Sequence, residues 1–276
     1  MNPFEIFLMN PILNILVAYY QALAAISLPG ALGFAIILLT VTIRMLLWPL
    51  TTAQLKSAAK MAALKPHLDQ IKSVHGHDKI RHQEEVTKLY KEHGVNPLAG
   101  CLPILLQIPV FIALYNVLLK IVELKGDFLA DINIRLYSFI PHLEKIPQTS
   151  FAGFNLSQKP SDWHQAGIFI LAIPVLTGLF QLIQSKMMTP ARPASLQKPN
   201  TLPAKKENKG DLEDTMSQMQ SQMVFLMPAM IAFFSYGFPV GLSLYWNTFT
   251  IIGIVQQYVI SGPGALGKYL PERFQK

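Results

Sequence analysis

Charge is what this sequence has least of. Asp, Glu, Lys and Arg together make up 14% of 276 residues, against about 25% in an ordinary soluble domain. The deficit is concentrated: no charged residue lies between Glu5 and Arg44, and 94–119, 165–185 and 215–267 are uncharged throughout. Runs of that length do not make the surface of a soluble protein, and each can supply at least one membrane span of about 20 residues. None of them contains a carboxylate. That argues against ion-coupled transport, which needs buried acidic groups or unwound helices in internal repeats, and no inverted repeat is visible. Cys101 is the only cysteine, so no intrachain disulfide forms; a lone thiol opening an apolar run reads as a small packing residue rather than a nucleophile. Walker A loops, GxSxG elbows and zinc signatures are missing, so no enzymatic activity and no cofactor are expected.

What remains is apolar: 51% hydrophobic residues and a mean hydropathy of +0.33. The expected architecture is an all-α polytopic membrane protein with five transmembrane helices. Span one covers 31–51, span two 99–121 with its apolar core from Cys101, and span three 165–185. Spans four and five share 222–260, at 222–238 and 241–260, divided by Gly237, Pro239 and Gly241 in a tight turn. Within 1–30, Ile12, Leu13, Ile15, Leu16, Tyr19, Leu23 and Ile26 recur at helical spacing among the polar Asn14, Tyr20 and Gln21. The preferred reading is a helix lying in the membrane interface after Pro11 and broken by Pro29; a sixth span is the competitor.

Basic residues cluster between the spans. Lys56, Lys60, Lys65, Lys72, Lys79, Arg81, Lys88 and Lys91 fall in 52–98, and Lys186, Arg192, Lys198, Lys205, Lys206 and Lys209 in the 186–221 loop. The positive-inside rule places both in the cytoplasm, with 122–164 and the 238–241 turn outside, the N-terminus outside and the short 261–276 tail inside. The N-terminus lacks the basic region and cleavage site of a secretory signal, so the first span is expected to target the chain itself.

The 52–98 segment is organised as a helical hairpin. Leu55, Ala59, Ala62, Ala63, Leu64, Leu68 and Ile71 form one weak apolar face, and Val86, Leu89 and Tyr90 another, with His75, Gly76 and His77 at the turn. His75, His77, His82 and Asp78 invite a metal reading, but without a cysteine cluster they read as solvated turn residues. Interspersed Asp69, Glu84, Glu85 and Glu92 dilute any nucleic-acid surface, so no specific nucleic acid is expected; anionic lipid heads or a ribosome remain as partners. Pro66 and the pair Gly94 and Pro97 mark its attachments as hinges. Pro190, Pro193, Pro199 and Pro203 make the 186–221 loop unsuited to a packed core. Met216, Met219, Met223, Met227 and Met230 then recur every three or four residues. Such a stripe is packing, or a pliable surface for varied apolar sequences. In 122–164, Tyr137 and Trp163 are candidate interfacial anchors, with Phe128, Leu129, Ile132, Leu136, Phe139 and Ile140 along the outer surface.

Arg44 is the exception inside span one. A guanidinium at mid-helix costs about 2.5–3.5 kcal/mol on insertion scales, so it should face protein or a wet cavity; it lies close enough to the span's end for snorkelling to compete. Position alone does not choose.

Several strings carry a resemblance. Arg44, the basic hairpin, Asn96-Pro97-Leu98-Ala99-Gly100-Cys101-Leu102-Pro103 and Gln107-Ile108-Pro109-Val110-Phe111-Ile112-Ala113-Leu114-Tyr115 come first. Gln181-Leu182-Ile183-Gln184-Ser185-Lys186-Met187, Met227-Pro228, Phe238-Pro239-Val240-Gly241-Leu242-Ser243-Leu244-Tyr245-Trp246 and Ile254-Val255-Gln256-Gln257-Tyr258 follow in order. Together they resemble the YidC/Oxa1/Alb3 family of membrane protein insertases, in its shorter five-span bacterial form without a long basic tail.

The resemblance implies a positively charged groove open to cytoplasm and lipid, lined by Arg44, by Gln181 or Gln184, and by Trp246. It implies insertion and folding of nascent membrane proteins, alone or beside the general translocon, without nucleotide hydrolysis, and a bacterial plasma membrane location. Met223, Met227 and Met230 are candidate substrate contacts; Lys60, Lys65, Lys72 and Arg81 are candidate partner contacts. The protein is expected to act as a monomer in contact with lipid. A non-insertase assembly factor and a small-solute transporter are the alternatives.

Overall fold

The computed structural model describes residues 2–95, 102–123, 128–188, 212–269 and 271, with side chains described except at 65, 102–106, 121–123, 128, 212–221, 223 and 268. The motif at 96–101 with Cys101 and Pro97, the proline-rich 189–211, and the tail basic residues Arg273 and Lys276 lie outside the described residues, as do the side chains of Lys65, Met216, Met219 and Met223. The chain divides into two compact units: Met1–Pro49, Pro103–Gln181 and Ala229–Gly253 in one, Leu50–Leu102, Leu182–Pro228 and Ile254–Lys276 in the other.

In the first unit the chain opens on a π-helical turn, Glu5–Met9, that runs straight into α1, Asn10–Ala25. The chain is thus helical before the Pro11 start expected from sequence, and Pro11 lies within that continuous helical stretch. Ile12, Leu13, Leu16 and Val17 are buried along one face. After Ser27 and Gly30, both with positive φ, α2 runs over Ala31–Ala63. Leu32, Ala35, Ile36 and Leu39 meet the core at spacings of three and four. Tyr19 joins the two helices through a 2.7 Å hydrogen bond with Thr42. Helix α5, Leu102–Glu123, adds Ala113, Leu114, Val117 and Leu118, and α10, Val240–Ser261, adds Leu242 and Tyr245. Between α2 and α5 lie the second unit's α3, Lys65–His75, and α4, Lys79–Glu92.

The 123–171 segment is more structured than a surface loop. It holds α6, Phe128–Arg135, a hairpin of β1, Ser150–Phe151, and β2, Phe154–Asn155, and α7, Trp163–Ala166. Ser150 pairs with Asn155 and Phe151 with Phe154 around Ala152 and Gly153, whose φ of 49° and 84° fit a tight two-residue turn. The Phe151 ring lies against α2, edge to face with Phe34 at 5.1 Å, and a Cβ at Gly33 would overlap it. Gly33 is therefore where the β1–β2 hairpin closes on α2. Past the hairpin, the carbonyls of Leu156 and Gln158 accept the N–H groups of Gly241 and Val240 at 2.9 Å each, satisfying two otherwise orphaned donors at the start of α10. Of the residues expected along the outer surface, Ile132 and Ile140 are instead buried, while Phe139 is exposed.

The uninterrupted helix expected over 165–185 is broken. Gly167, at φ 90°, ends α7; a 3-10 turn at Ile168–Leu171 follows, and α8 occupies Ala172–Met188. Helix α9, Leu212–Gly237, and α10 flank the turn expected around Gly237 and Pro239. Helices thus lie at each of the five expected spans. Among the described residues, three helical stretches are long and apolar enough to cross a membrane, Glu5–Ala25, Ala31–Ala63 and Ile168–Met188; Gln107–Lys120 and Val224–Gly237 are shorter apolar stretches. The sixth-span reading of the N-terminal helix is therefore met on length and composition.

In the second unit the hairpin differs from expectation at its first arm. Helix α2 continues through Pro49, and the break comes at the buried Leu64, so the antiparallel pair is α3 and α4. The rings of His67 and His93, 6.3 Å apart, meet across its base. Asp78 is the N-cap of α4, accepting from the N–H groups of Ile80 and Arg81 at 3.1 and 3.2 Å. Gln256 donates to Thr51 and Thr52 at 2.7 and 3.2 Å.

Candidate functional site

Arg44 is placed by α2 with its side chain turned into protein. It is 5% exposed. Its Nε and Nη2 donate to the Phe249 carbonyl of α10 at 3.2 and 3.0 Å, and its Cζ lies 3.8 Å from the centre of the Phe249 ring. A helix carbonyl has two lone pairs, so it accepts a guanidinium without giving up its helical bond. The snorkelling alternative predicts an exposed head group, and Arg44 does not have one.

Polar groups line α10 beyond Phe249. Gln107 of α5 donates to the hydroxyl of the fully buried Tyr245 at 2.6 Å. Tyr245 in turn rests on Phe249 with ring centres 5.9 Å apart. Trp246, one residue on, donates from its indole to Gln181 of α8 at 3.3 Å and meets Phe111 edge to face at 5.4 Å. Nearer the start of α10, the hydroxyls of Thr177, Ser235 and Ser243 form a buried chain with links of 3.4 and 3.0 Å. In an apolar interior these hydroxyls and amides find partners in one another, since each would otherwise be buried unpaired. The buried Asn247 Oδ1 has no such partner.

Of the groove residues expected from sequence, Arg44, Gln181 and Trp246 thus all lie on helices that contact α10 or belong to it. Gln184 belongs to the second unit and is partly buried there. Met227 is partly buried, and Met230 is exposed beside Phe233 on α9. Lys60 and Arg81 are exposed, and Lys72 is partly exposed. Sequence reasoning missed Phe249 as the partner of the arginine, and Tyr245 and Gln107 as the residues behind it. The aromatic pair at i and i+4 on an otherwise uncharged helix was the available signal, because a desolvated guanidinium seeks a π face.

No cluster of three or more metal-ligating side chains occurs among the described residues. Asp78 spends its carboxylate on the α4 N-terminus rather than beside the turn histidines.

The family model described as 60Kd inner membrane protein matches residues 24–264. The chain is 36% identical over 234 residues to the membrane protein insertase YidC of Shewanella halifaxensis (strain HAW-EB4), a match covering 85% of this chain and 34% of that protein. It is 33% identical over 233 residues to the membrane protein insertase YidC of Rickettsia felis (strain ATCC VR-1525 / URRWXCal2), covering 84% and 36%. The chain therefore spans 34% and 36% of the length of these two curated relatives. A crystal structure of an active YidC insertase with its first transmembrane domain resolved aligns with a TM-score of 0.50 at 22% identity, over 94% of this chain and 47% of that one, and supports the fold. By the extent of the family match and the identity to these relatives, the chain belongs to the 60Kd inner membrane protein family, that of YidC/Oxa1/Alb3, and is an all-α polytopic membrane protein.

Proposed function

We propose that this chain is a membrane protein insertase, passing a short hydrophilic segment of a nascent protein past Arg44 while the adjoining apolar segment enters lipid. The observation that carries this reading is a guanidinium held inside an apolar helical unit with Gln181, Trp246 and a hydroxyl chain on neighbouring helices. An acidic tail would gain charge-assisted hydrogen bonds there. The apolar segment would gain about 25 cal/mol per Å² of surface removed from water, which supplies the driving force. No covalent step is involved, so the protein acts by lowering a barrier to polar passage. The relatives' name, membrane protein insertase, agrees with this reading. The exposed apolar side chains of Met230 and Phe233 on α9 suit the route of the apolar segment.

The basic hairpin receives the substrate or its delivery partner, and a folding role, work beside the general translocon, ribosome contact and action as a monomer belong to the same proposal. We assign the hairpin and C-terminus to the cytoplasm, and the N-terminus, 122–164 and the 238–241 turn to the outside, in a bacterial plasma membrane. Helix α1 is assigned to the outer interface. Asn14 donates to the Arg135 carbonyl at 2.9 Å and accepts from the Tyr137 N–H at 2.6 Å, and Gln21, two turns on, donates to the Pro141 carbonyl at 2.6 Å. A helix bonded to one outer segment at both positions runs along that segment, as an interfacial helix does.

The test is protease-protected insertion of a short single-span substrate with an acidic tail into liposomes holding the purified protein. Wild type should insert it, Arg44→Lys should retain part of the activity and Arg44→Ala little. Equal insertion by all three at matched protein levels would remove Arg44 from the mechanism; insertion by none would favour the assembly-factor reading.

A further inference from the structure

Arg44 is already satisfied before any substrate arrives. One residue, Phe249, supplies both a hydrogen-bond acceptor and an aromatic face to it, at 3.2 and 3.0 Å to the carbonyl and 3.8 Å to the ring centre. Both features sit on a single turn of α10, so they cannot drift apart. The ring is braced in turn: Tyr245, one turn earlier, packs on it with centres 5.9 Å apart, and Gln107 holds Tyr245 by its hydroxyl at 2.6 Å. A ligand that takes Nε and Nη2 together competes with this arrangement.

We propose that Phe249 is a positioning and selectivity residue that keeps the Arg44 guanidinium closed against α10, so that an acidic segment engages it and a neutral polar one does not. This rests on the insertase reading and deepens it. The physical reason is the ranking of acceptors. A neutral segment offers amide carbonyls and hydroxyls, no better than the carbonyl Arg44 already holds, and it brings no π face. A carboxylate makes hydrogen bonds roughly twice as strong and matches two N–H groups at once. The ring adds to the closed side of the balance because a cation over a desolvated aromatic face is held by the ring quadrupole. Weakening that quadrupole should loosen the guanidinium and blunt the discrimination between acidic and neutral segments.

The experiment replaces Phe249 in the full-length protein, reconstituted in liposomes, with phenylalanines of increasing ring fluorination, which drain the ring face of negative potential while nearly preserving its shape. Phe249→Leu is made alongside. The first readout is the rate at which phenylglyoxal modifies Arg44, followed by mass spectrometry and normalised to the exposed Arg81 of the same molecules. The rate should rise stepwise with fluorination, several-fold by the pentafluoro ring, with Phe249→Leu at least as fast. The second readout is the ratio of insertion of acidic-tailed to neutral-tailed substrates, which should fall towards one along the same series. A normalised Arg44 rate that stays flat across the series overturns the proposal, as does an insertion ratio that stays constant while Arg44 opens. A stepwise rise with no insertion by any protein supports the positioning role, and the failure then falls on the insertase reading alone.

Discussion

Arg44 and Arg81 carry the same head group in opposite circumstances. Arg44 is 5% exposed, on an apolar helix, and its geometry is set by a carbonyl and a ring on α10. Arg81 lies exposed in the first turns of α4. The Arg44 charge is answered by a neighbouring helix, so its position is fixed by tertiary contacts. At Arg81 the head group faces solvent, and its position follows from α4. The same contrast holds for carboxylates. Asp78 is used locally as a cap, while Asp131 of α6 draws on Lys120 of α5 at 2.7 Å and on Arg135 at 3.2 Å.

The contrast is broken most severely at Arg44. Arg44→Ala should lower insertion of an acidic-tailed substrate roughly tenfold to hundredfold, the worth of one hydrogen bond to a charged group, whereas Arg81→Ala should change it little in the same proteoliposome assay. A next-largest effect is expected where the β1–β2 hairpin meets α2. Gly33→Val places a side chain in the space of the Phe151 ring and should cost about 1–3 kcal/mol of stability, as overpacking does. Thermal unfolding in detergent measures it, and Phe151→Ala in the same molecule should restore part of the loss.

In the hairpin, Asp78→Ala removes an N-cap and should cost about 1 kcal/mol, felt locally. Hydrogen exchange should quicken in the first turns of α4 and remain unchanged in α10; quickening throughout would mean that the hairpin is not a separate stability unit. The smallest effect concerns pH. The Asp131 carboxyl is held below its ordinary value of 3.8, first by the hydrogen bond from Lys120 and then by Arg135, against a partial opposing effect of burial. A depressed folded-state value means the stabilisation is present at neutral pH and is lost as pH falls below about 4. Because the group is largely exposed, the loss should be roughly a few tenths of a kcal/mol. Asp131→Asn should flatten that acid limb in a pH series of melting temperatures.

Much of the helical layout was legible because membrane helices announce themselves by length and lack of charge. The uncharged runs located α2, α5, α8, α9 and α10, and Gly237 with Pro239 located the turn between the last two. Departures came where a local signal was overruled. Pro49 does not end α2, since proline is tolerated in helices of this kind when other groups satisfy the freed carbonyl. Gly167 breaks a run that composition alone made continuous. The β hairpin at 150–155 escaped notice because two-residue strands have no periodicity to detect. At the candidate site, Arg44 stood out by its residue type, and the resemblance supplied Gln181 and Trp246.

What the sequence determined by itself is the solvent of each segment: the free energy of placing uncharged runs in lipid and lysine-rich ones in water depends on composition, and composition is local. What only tertiary structure decided is which groups answer each buried polar atom. Phe249 lies 205 residues from Arg44, and Tyr245 lies 138 from Gln107. Periodicity carries no information across such separations. The pairing is fixed when helices pack, because a guanidinium or amide left unpaired in that interior carries an uncompensated desolvation cost.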